Sequence, residues 1–563
     1  MVRRRVQLKG SDGKLVWDRQ GQVRLVNLSE KLLVSLLAKF SNFIPEAGIW
    51  LNTQRPEWND ANNALVGNGV SVVTLCYLRR FLAFCLEVFR PLEKSEVSLS
   101  DEVARLLLAV CRILQSHRPL LSHRITDRQR KRLLDGLARA GSQYREQIYT
   151  RGFSGRRTRI KGGQLLDFFK VALAFADESI RANRRPDGLY HAYNLIKLEN
   201  PREIPIRRLY EMLEGQVAVL SSGRLTARES LDLLVALKQS AMYRPDQRSY
   251  LLYPNRRLPR FVEKNNIPRK ELDRSRLLQK LIADGNRLLV ERDAVGRYHF
   301  NGSITNGRDA AQILEKLAGA GYARLVKSEA RLVLDLFERL FDHQSFTGRS
   351  GTFFGYEGLG CIYWHMVSKL LLAAQESFFR AVDSDAPRPI LQKLAGCYYD
   401  IRSGIGDYKS PVEYGAFPMD PYSHTPAHTG ARQPGLTGQV KEDILCRRGE
   451  LGLFVEAGQI CFRPALLRRD EFLAAPAEFC YYDVADRAKR IRLQADSIGF
   501  TCCEVPVVYQ IAAKNSLEVI SEDGSKLRQD SLCLSRAASV SIFERAGKVS
   551  RINVSLHPNH RQT

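Results

Sequence analysis

Ser29-Glu30-Lys31-Leu32-Leu33-Val34-Ser35-Leu36-Leu37-Ala38-Lys39-Phe40 is the first stretch in which the chain shows a helical period. Leu32, Leu33, Leu36, Leu37 and Phe40 recur at three and four residues and share one face, with Ser29 as a candidate N-cap and Glu30 in the first turn. Upstream, residues 4–26 alternate apolar and polar (Val6, Leu8, Leu15, Trp17, Val23, Leu25) around glycine turns, which predicts a short strand pair. Downstream, the helical recurrence continues and predicts helices at 70–91, 99–116, 125–149, 163–182, 205–221, 225–241, 270–287, 308–320, 327–342, 358–382 and 388–397. Start signals agree: Ser98 or Ser100 precedes Asp101-Glu102, and Thr226 followed by Glu229 is a capping box. No fixed-period repeat interrupts the series, which favours a closed double ring of helices over a solenoid.

After Gly449 the pattern shortens. Residues 454–456, 460–462, 505–511, 517–520, 540–543 and 552–556 are apolar or alternating runs between glycine and polar turns, and predict strands. The expected architecture is mainly α: a short β segment or linker at 1–28, a helical toroid of (α/α)6 type at 29–449, and a β-sandwich-like domain at 450–563.

A chain of 563 residues can bury a large core, and its 44% hydrophobic and 26% charged residues are those of an ordinary soluble protein. No run approaches the roughly 20 apolar residues that cross a bilayer, so no membrane partner is expected. Met1 to Gly10 places no apolar stretch after its charges, so a cytoplasmic location is expected. None of the 11 cysteines forms a C-x-x-C pair, and settings such as Cys76, Cys85 and Cys111 predict free buried thiols rather than disulfides or zinc ligands. The close pair His424 and His428 lies in a proline-containing loop without helical register, so no metal is expected.

The formal charge of +25 would attract nucleic acid, acidic glycans or phosphorylated ligands. Its densest stretch, Arg124 to Lys161, holds twelve basic residues against three acids. The spacing there is that of an exposed helix face and a loop, with Tyr144, Tyr149 and Phe153 as its only aromatics, which argues against nucleic acid.

Chemistry concentrates in the connections. The stretch from Gln54 to Leu65 packs Arg55, Glu57, Trp58, Asn59 and Asp60 between helical segments, a mixture suited to a sugar: an indole covers the C–H face, while amides and carboxylates take the hydroxyls. A second connection carries Asp187, Tyr190, His191 and Tyr193, and a third carries Arg244 and Asp246. A fourth carries Tyr356 and Glu357 before a predicted helix, whose dipole would favour an ionised base. The fifth is long and nearly aperiodic, running from Asp400 through Asp420, Tyr422 and His424 to Gln439 and Asp443. Each of these residues also has a bland reading as a cap, a packing aromatic or an ion-pair partner. Five such loops alternating with helix pairs would nevertheless converge at one mouth of a barrel. Two rival readings stay open: a polysaccharide lyase using His191 and Tyr193 on an acidic glycan, and a noncatalytic glycan-binding or scaffold subunit.

Trp58-Asn59-Asp60 resembles the Trp-Asn-Asp signature of the (α/α)6-barrel inverting glycoside phosphorylases and hydrolases, the cellobiose phosphorylase-like superfamily. The resemblance makes Asp60 the general acid and Trp58 a neighbour in the sugar subsite, and carries over no other residue. In that family a large β domain precedes the motif. Here Trp58 comes early in the chain, so the resemblance implies a C-terminal portion of a larger enzyme, a subunit needing a partner, or a circularly different arrangement. The family's phosphate signature is not found, although the loop from His424 to Gln439 is compatible with a phosphate site. The expected activity is inverting cleavage of a glycosidic bond in an oligo- or polysaccharide. Asp60 is the acid, and either inorganic phosphate as co-substrate or a water activated by Glu357 attacks; no other cofactor is expected. For the water route the two carboxyls should lie about 6.5–9.5 Å apart.

Overall fold

The computed structural model describes residues 2–17, 21–52, 65–255, 259–342, 362–405, 424–425 and 439–558. About half of the chain is helical, with several sheets. It divides into two compact units, one of residues 1–225, 236–244 and 250–363 and one of residues 226–235, 245–249 and 364–563.

In the first unit the predicted periodicity becomes the helices Leu28–Phe40, Val72–Phe89, Asp101–Ser116, Asp127–Arg151, Gly162–Arg181 and Leu213–Ser221. Their apolar faces meet in a core that includes Phe40, Phe43, Phe168 and Phe175, with the Phe40 and Phe43 rings stacked at 5.0 Å. Local chemistry shifts three expectations. Asn27, not Ser29, caps the first of these helices, accepting from the Glu30 amide at 2.9 Å. Residues 205–212 are not helical: Ile206–Arg208 is a strand and the helix begins at Leu213. Val2–Lys9 is a helix rather than a strand, leaving only a Trp17–Val23 bridge of the predicted pair, since three consecutive arginines give no alternation to seat on a sheet.

An antiparallel sheet of five short strands runs in the order Phe43–Ile44, Gly48–Trp50, Gly69–Ser71, Tyr193–Ile196 and Ile206–Arg208. Gly48 is required there: its φ of 128° suits glycine, and a Cβ would come within 2.5 Å of the Ser71 carbonyl oxygen. The connection between the first two strands supplies one half of a buried ion pair. Arg130 donates from Nη2 to Glu46 at 2.7 Å, from Nε to the Pro45 carbonyl at 3.0 Å and from Nη1 to the Ile204 carbonyl at 3.0 Å. The other Glu46 oxygen accepts from the Ile125 amide at 3.0 Å.

Residues 261–341 form a module of their own. Five helices (Phe261–Lys264, Arg269–Leu272, Arg276–Ala283, Gly307–Leu317, Ala323–Phe341) and a hairpin pairing Val290–Arg292 with Tyr298–Phe300 enclose one core cluster. Every buried member of that cluster lies between Ile267 and Phe341, among them Leu277, Leu281, Phe300, Leu314 and Phe337. Asn265 is buried and ties the hairpin down, accepting from the Phe300 amide and donating to its carbonyl, both at 2.8 Å. The chain leaves and returns at a single β-bridge, Leu251 with Ile362. Adjacent ends and a private core are the marks of an inserted domain.

The second unit holds the helices Trp364–Asp383, Arg388–Ser403 and Gln439–Glu450, followed by a β region. The first of these was predicted from 358 but begins at Trp364, behind the strand Ile362–Tyr363; the last was not foreseen. A buried network joins the three. Glu450 accepts from the Tyr398 hydroxyl at 2.6 Å and from Arg402 at 2.9 Å, and Gln375 donates to the Cys446 carbonyl at 2.7 Å. The β region centres on a mixed five-stranded sheet, in the order Ser497–Cys502, Val505–Ile511, Val549–Leu556, Ser516–Ser521 and Lys526–Gln529. The hairpin of Leu453–Glu456 with Gln459–Phe462 and the helix Arg536–Phe543 contribute Ile460, Phe462 and Ile542 to its core. Residues 540–543 are therefore helical, not the predicted strand; the Ser535 side chain starts that helix by accepting from the Ala538 amide at 3.2 Å. The expectation of free thiols fails at one pair, because the bridge between Cys461 and Cys533 also carries a disulfide.

Two outcomes follow. Residues 259–342 expressed alone should give a helical spectrum and a cooperative thermal melt, and Phe337→Ala, costing about 3–5 kcal/mol, should abolish that melt. In the full chain, Arg130→Met strands the buried Glu46 charge and should cost about 3–5 kcal/mol, seen as a fall in the thermal midpoint.

Candidate functional site

The five-stranded sheet places the stems of the sugar-like loops side by side. Gly48–Trp50 leads towards residues 53–64 and Gly69–Ser71 leads away from them, and these two strands pair directly. The Trp50 indole donates to the Gly67 carbonyl at 2.9 Å, and the Gly67 amide donates to Leu51 at 2.7 Å. Next in the sheet is Tyr193–Ile196 from the second connection, with Ser71 opposite Tyr193 and the Val72 amide donating to the Ala192 carbonyl at 3.0 Å. The Tyr193 hydroxyl donates to Glu214 at 2.8 Å in the first turn of the helix Leu213–Ser221. The Leu213 amide in turn donates to the Leu252 carbonyl at 3.0 Å, within the third connection. Leu251, beside it, bridges Ile362, where the fourth connection ends. A continuous series of hydrogen bonds thus gathers the stems of four of the five loops within the first unit.

Their side chains divide by role. Arg55, Trp58, Asn59, Asp60, Tyr356, Glu357, Asp420 and Tyr422 lie outside the described residues. His424 falls in the strand His424–Thr425 and Gln439 opens the helix Gln439–Glu450, each described as backbone only. Asp187 is a turn residue: it bonds Arg185 at 2.7 Å and the Leu189 amide at 3.1 Å, next to Gly188 at φ 83°. Burial would raise its carboxyl, but Arg185 and that amide outweigh it and hold the group below the usual carboxylate range. Tyr190 is buried, its amide and carbonyl both taken by the Gln216 carboxamide at 2.8 Å. Arg244 is half-buried in the strand Tyr243–Arg244 of the first unit, and Asp246 is exposed in the turn Pro245–Gln247 of the second.

His191 has a defined tautomer. Its Nδ1 lies 2.7 Å from the Leu209 carbonyl, which can only accept, so Nδ1 carries the proton and Nε2 is the acceptor nitrogen. Burial, with Arg208 and Arg185 nearby, lowers its pKa to about 4 against the Leu209 bond. Tyr193 is only 2% exposed and its hydroxyl is engaged by Glu214. Proton abstraction by this pair would require Tyr193 to leave Glu214, so the geometry does not favour the lyase reading.

One carboxylate lay outside the connections singled out in the sequence, and another lay inside the fifth without being assigned a role. Glu214 was hidden because the helix was expected to start at 205; its signal is that it is the lone charge in Leu213–Ser221. Glu442 is only 3% exposed in the first turn of Gln439–Glu450. Lys441 and Lys369 lie 3.6 and 3.8 Å from its Oε1, while Oε2 has no hydrogen-bond partner among the described residues. No group of three His, Cys, Asp or Glu among the described residues is arranged to hold a metal, and no described helix is long and apolar enough to cross a membrane.

Residues 258–344 match the family model described as GH149 phosphorylase insertion domain 2. The match coincides with the module of private core spliced between Leu251 and Ile362. It relates this segment to an insertion found in glycoside phosphorylases. No curated protein matches the chain.

The histidine geometry predicts a pH effect. A folded pKa of about 4 lies below the ordinary value near 6.5, so the neutral ring contributes stability that is complete above about 6.5 and is lost as pH falls towards 4. Imidazole resonances followed by NMR should show His191 with a midpoint near 4 and its proton on Nδ1 at neutral pH; a midpoint near 6.5 would contradict the burial.

Proposed function

We propose that this chain cleaves a glycosidic bond of an oligo- or polysaccharide by phosphorolysis with inversion, in a helical domain of (α/α)6 type. The observation that carries the reading is the match of residues 258–344 to an insertion domain of phosphorylases. That match falls on a module rooted at the bridge where two of the loop stems meet. The gathering of four polar, aromatic loops by one hydrogen-bonded seam supports a shared cavity, as does the resemblance of Trp58-Asn59-Asp60 to the acid-bearing signature of such enzymes.

In this mechanism Trp58 covers the sugar face, and Arg55 and Asn59 hold its hydroxyls. The Asp60 carboxyl donates its proton to the glycosidic oxygen as the C–O bond breaks. A phosphate oxygen attacks the opposite face of the anomeric carbon, giving an inverted sugar 1-phosphate and a shortened glycan. The phosphate proton restores Asp60. Because phosphate needs no deprotonation to attack, Glu357 has to act as base only if water replaces it. Electrostatics favour the anionic nucleophile: the chain carries +25 net charge.

A panel of glycans incubated with and without inorganic phosphate tests the proposal. Phosphate-dependent release of a sugar 1-phosphate is expected, and Asp60→Asn should lower kcat by about 10²–10⁴-fold while glycan binding persists. Free reducing sugar without phosphate would replace phosphorolysis by hydrolysis. An unsaturated, ultraviolet-absorbing product would replace both by a lyase, and binding with no turnover on any glycan would leave a noncatalytic protein.

A further inference from the structure

The five-stranded sheet of the β region buries the main core of that region under one face. Alternate residues of its strands, among them Val507, Leu517, Ile552 and Val554, point into that core. On the other face one row crosses all five strands: Gly499 pairs with Val508, Val508 with Asn553, Asn553 with Glu518, and Glu518 with Arg528. Beside that row lie Arg551, Ile520 and Lys526. The hairpin of Ala477–Tyr482 with Ala488–Leu493 covers the Gly499 end, where a Cβ would come within 3.1 Å of Phe479 and 3.0 Å of Leu493. The Phe479 ring stacks on Tyr481 at 5.8 Å. Burial and Asp483 raise the Tyr481 hydroxyl while Arg551 lowers it, so this tyrosine stands where the cover ends and the polar half begins.

That half is charged and under-compensated. Arg551 donates from Nε to Asn553 at 2.6 Å and Asn553 donates to Glu518 at 2.8 Å, so one carboxamide holds both half-buried charges in place. The exposed Arg528 donates to Ser516 at 3.3 Å. Among the described residues Arg551, Arg528, Lys526 and Glu518 make no ion pair, leaving three positive charges to one negative. Burial pushes the Arg551 guanidinium down, against Tyr481 and Glu518. We propose that this face binds an anionic sugar, with its phosphate or carboxylate on Arg551 and Arg528, its hydroxyls on Glu518 and its ring against Tyr481. A guanidinium takes such an anion through paired N–H groups, and the excess of positive charge favours it. Glu518 is what selects a sugar, since a carboxylate repels a bare anion and accepts from hydroxyls. A sugar phosphate and a uronic acid share this chemistry; the first rests on the proposed phosphorolysis, whose product it would be, and the second does not.

Hydroxyl-radical footprinting of the full chain tests the site, with the 1-phosphates and uronates of glucose, galactose and mannose as probes beside the free sugars and inorganic phosphate. An anionic sugar should protect Tyr481 and leave Tyr482, 63% exposed on the opposite face of the same strand, unchanged. Protection by 1-phosphates alone assigns a sugar phosphate, and by uronates alone a uronic acid. Arg551→Met should weaken the protecting ligand about tenfold or more, the loss of a hydrogen bond to a charged group. Arg528→Ala, at an exposed position, should weaken it too and keeps the reading if Arg551→Met fails to fold. No protection by any anionic sugar, equal protection by a free sugar or inorganic phosphate, or full affinity in both variants would overturn the proposal. Turnover is not read, so an unprotected Tyr481 in a chain that releases sugar 1-phosphate removes this site alone, and protection in a chain without turnover leaves it standing.

Discussion

The first unit hangs on Arg130. A guanidinium that is 4% exposed survives only if its donors are spent, and here they reach the adjacent Pro45 and Glu46, the nearby Ile125 and the distant Ile204, joining three stretches of the chain. Glu46 in turn sits at a left-handed φ of 60°, and its carbonyl accepts from Asn183 at 3.0 Å. Asn183 accepts from Asn194 at 2.9 Å, inside the strand Tyr193–Ile196. The same ion pair therefore fixes the strand that leads towards residues 53–64 and the strand that follows the second connection. Replacing it with apolar side chains could preserve stability, but not the aim of both strands.

That arrangement explains how an inserted module is tolerated in the first unit. Leu251 and Ile362 are already bridged, so the chain between them leaves and returns at one point and need not distort the seam. Two exposed ion pairs, Arg207 with Asp342 and Arg331 with Glu199, also reach from the module to its host. Such pairs contribute little stability, and the private core around Phe300 and Phe337 must supply the module's own.

Helices were legible because their period is local. Leu32 to Phe40 specify a face without reference to anything distant, and the Thr226–Glu229 box closes as expected, the Thr226 amide donating to Glu229 at 2.9 Å. The inserted module was not legible, because its helices have the same period as those of its host and its boundary is a bridge between residues 251 and 362. Strands such as Ala488–Leu493 were missed for another reason. With four of its six side chains exposed and three of them basic, the segment confines its apolar alternation to Ile491 and Leu493, and only pairing with Ala477–Tyr482 reveals it. The Cys461–Cys533 pair likewise requires strand register that a sequence separation of 72 conceals.

Among the candidate site residues, position was easier to read than role. The stems of four connections meet in one hydrogen-bonded seam, and within it the buried Tyr190 and Tyr193 make hydrogen bonds that close within the protein. A buried polar group with all its partners supplied has its desolvation offset and asks nothing of a ligand. Glu442 differs from them in that respect: buried in a helix first turn with one oxygen unmatched, it keeps a cost that the described fold does not repay. Residual cost, rather than residue type, is what distinguishes a surface shaped for something outside the chain from one that only completes the fold.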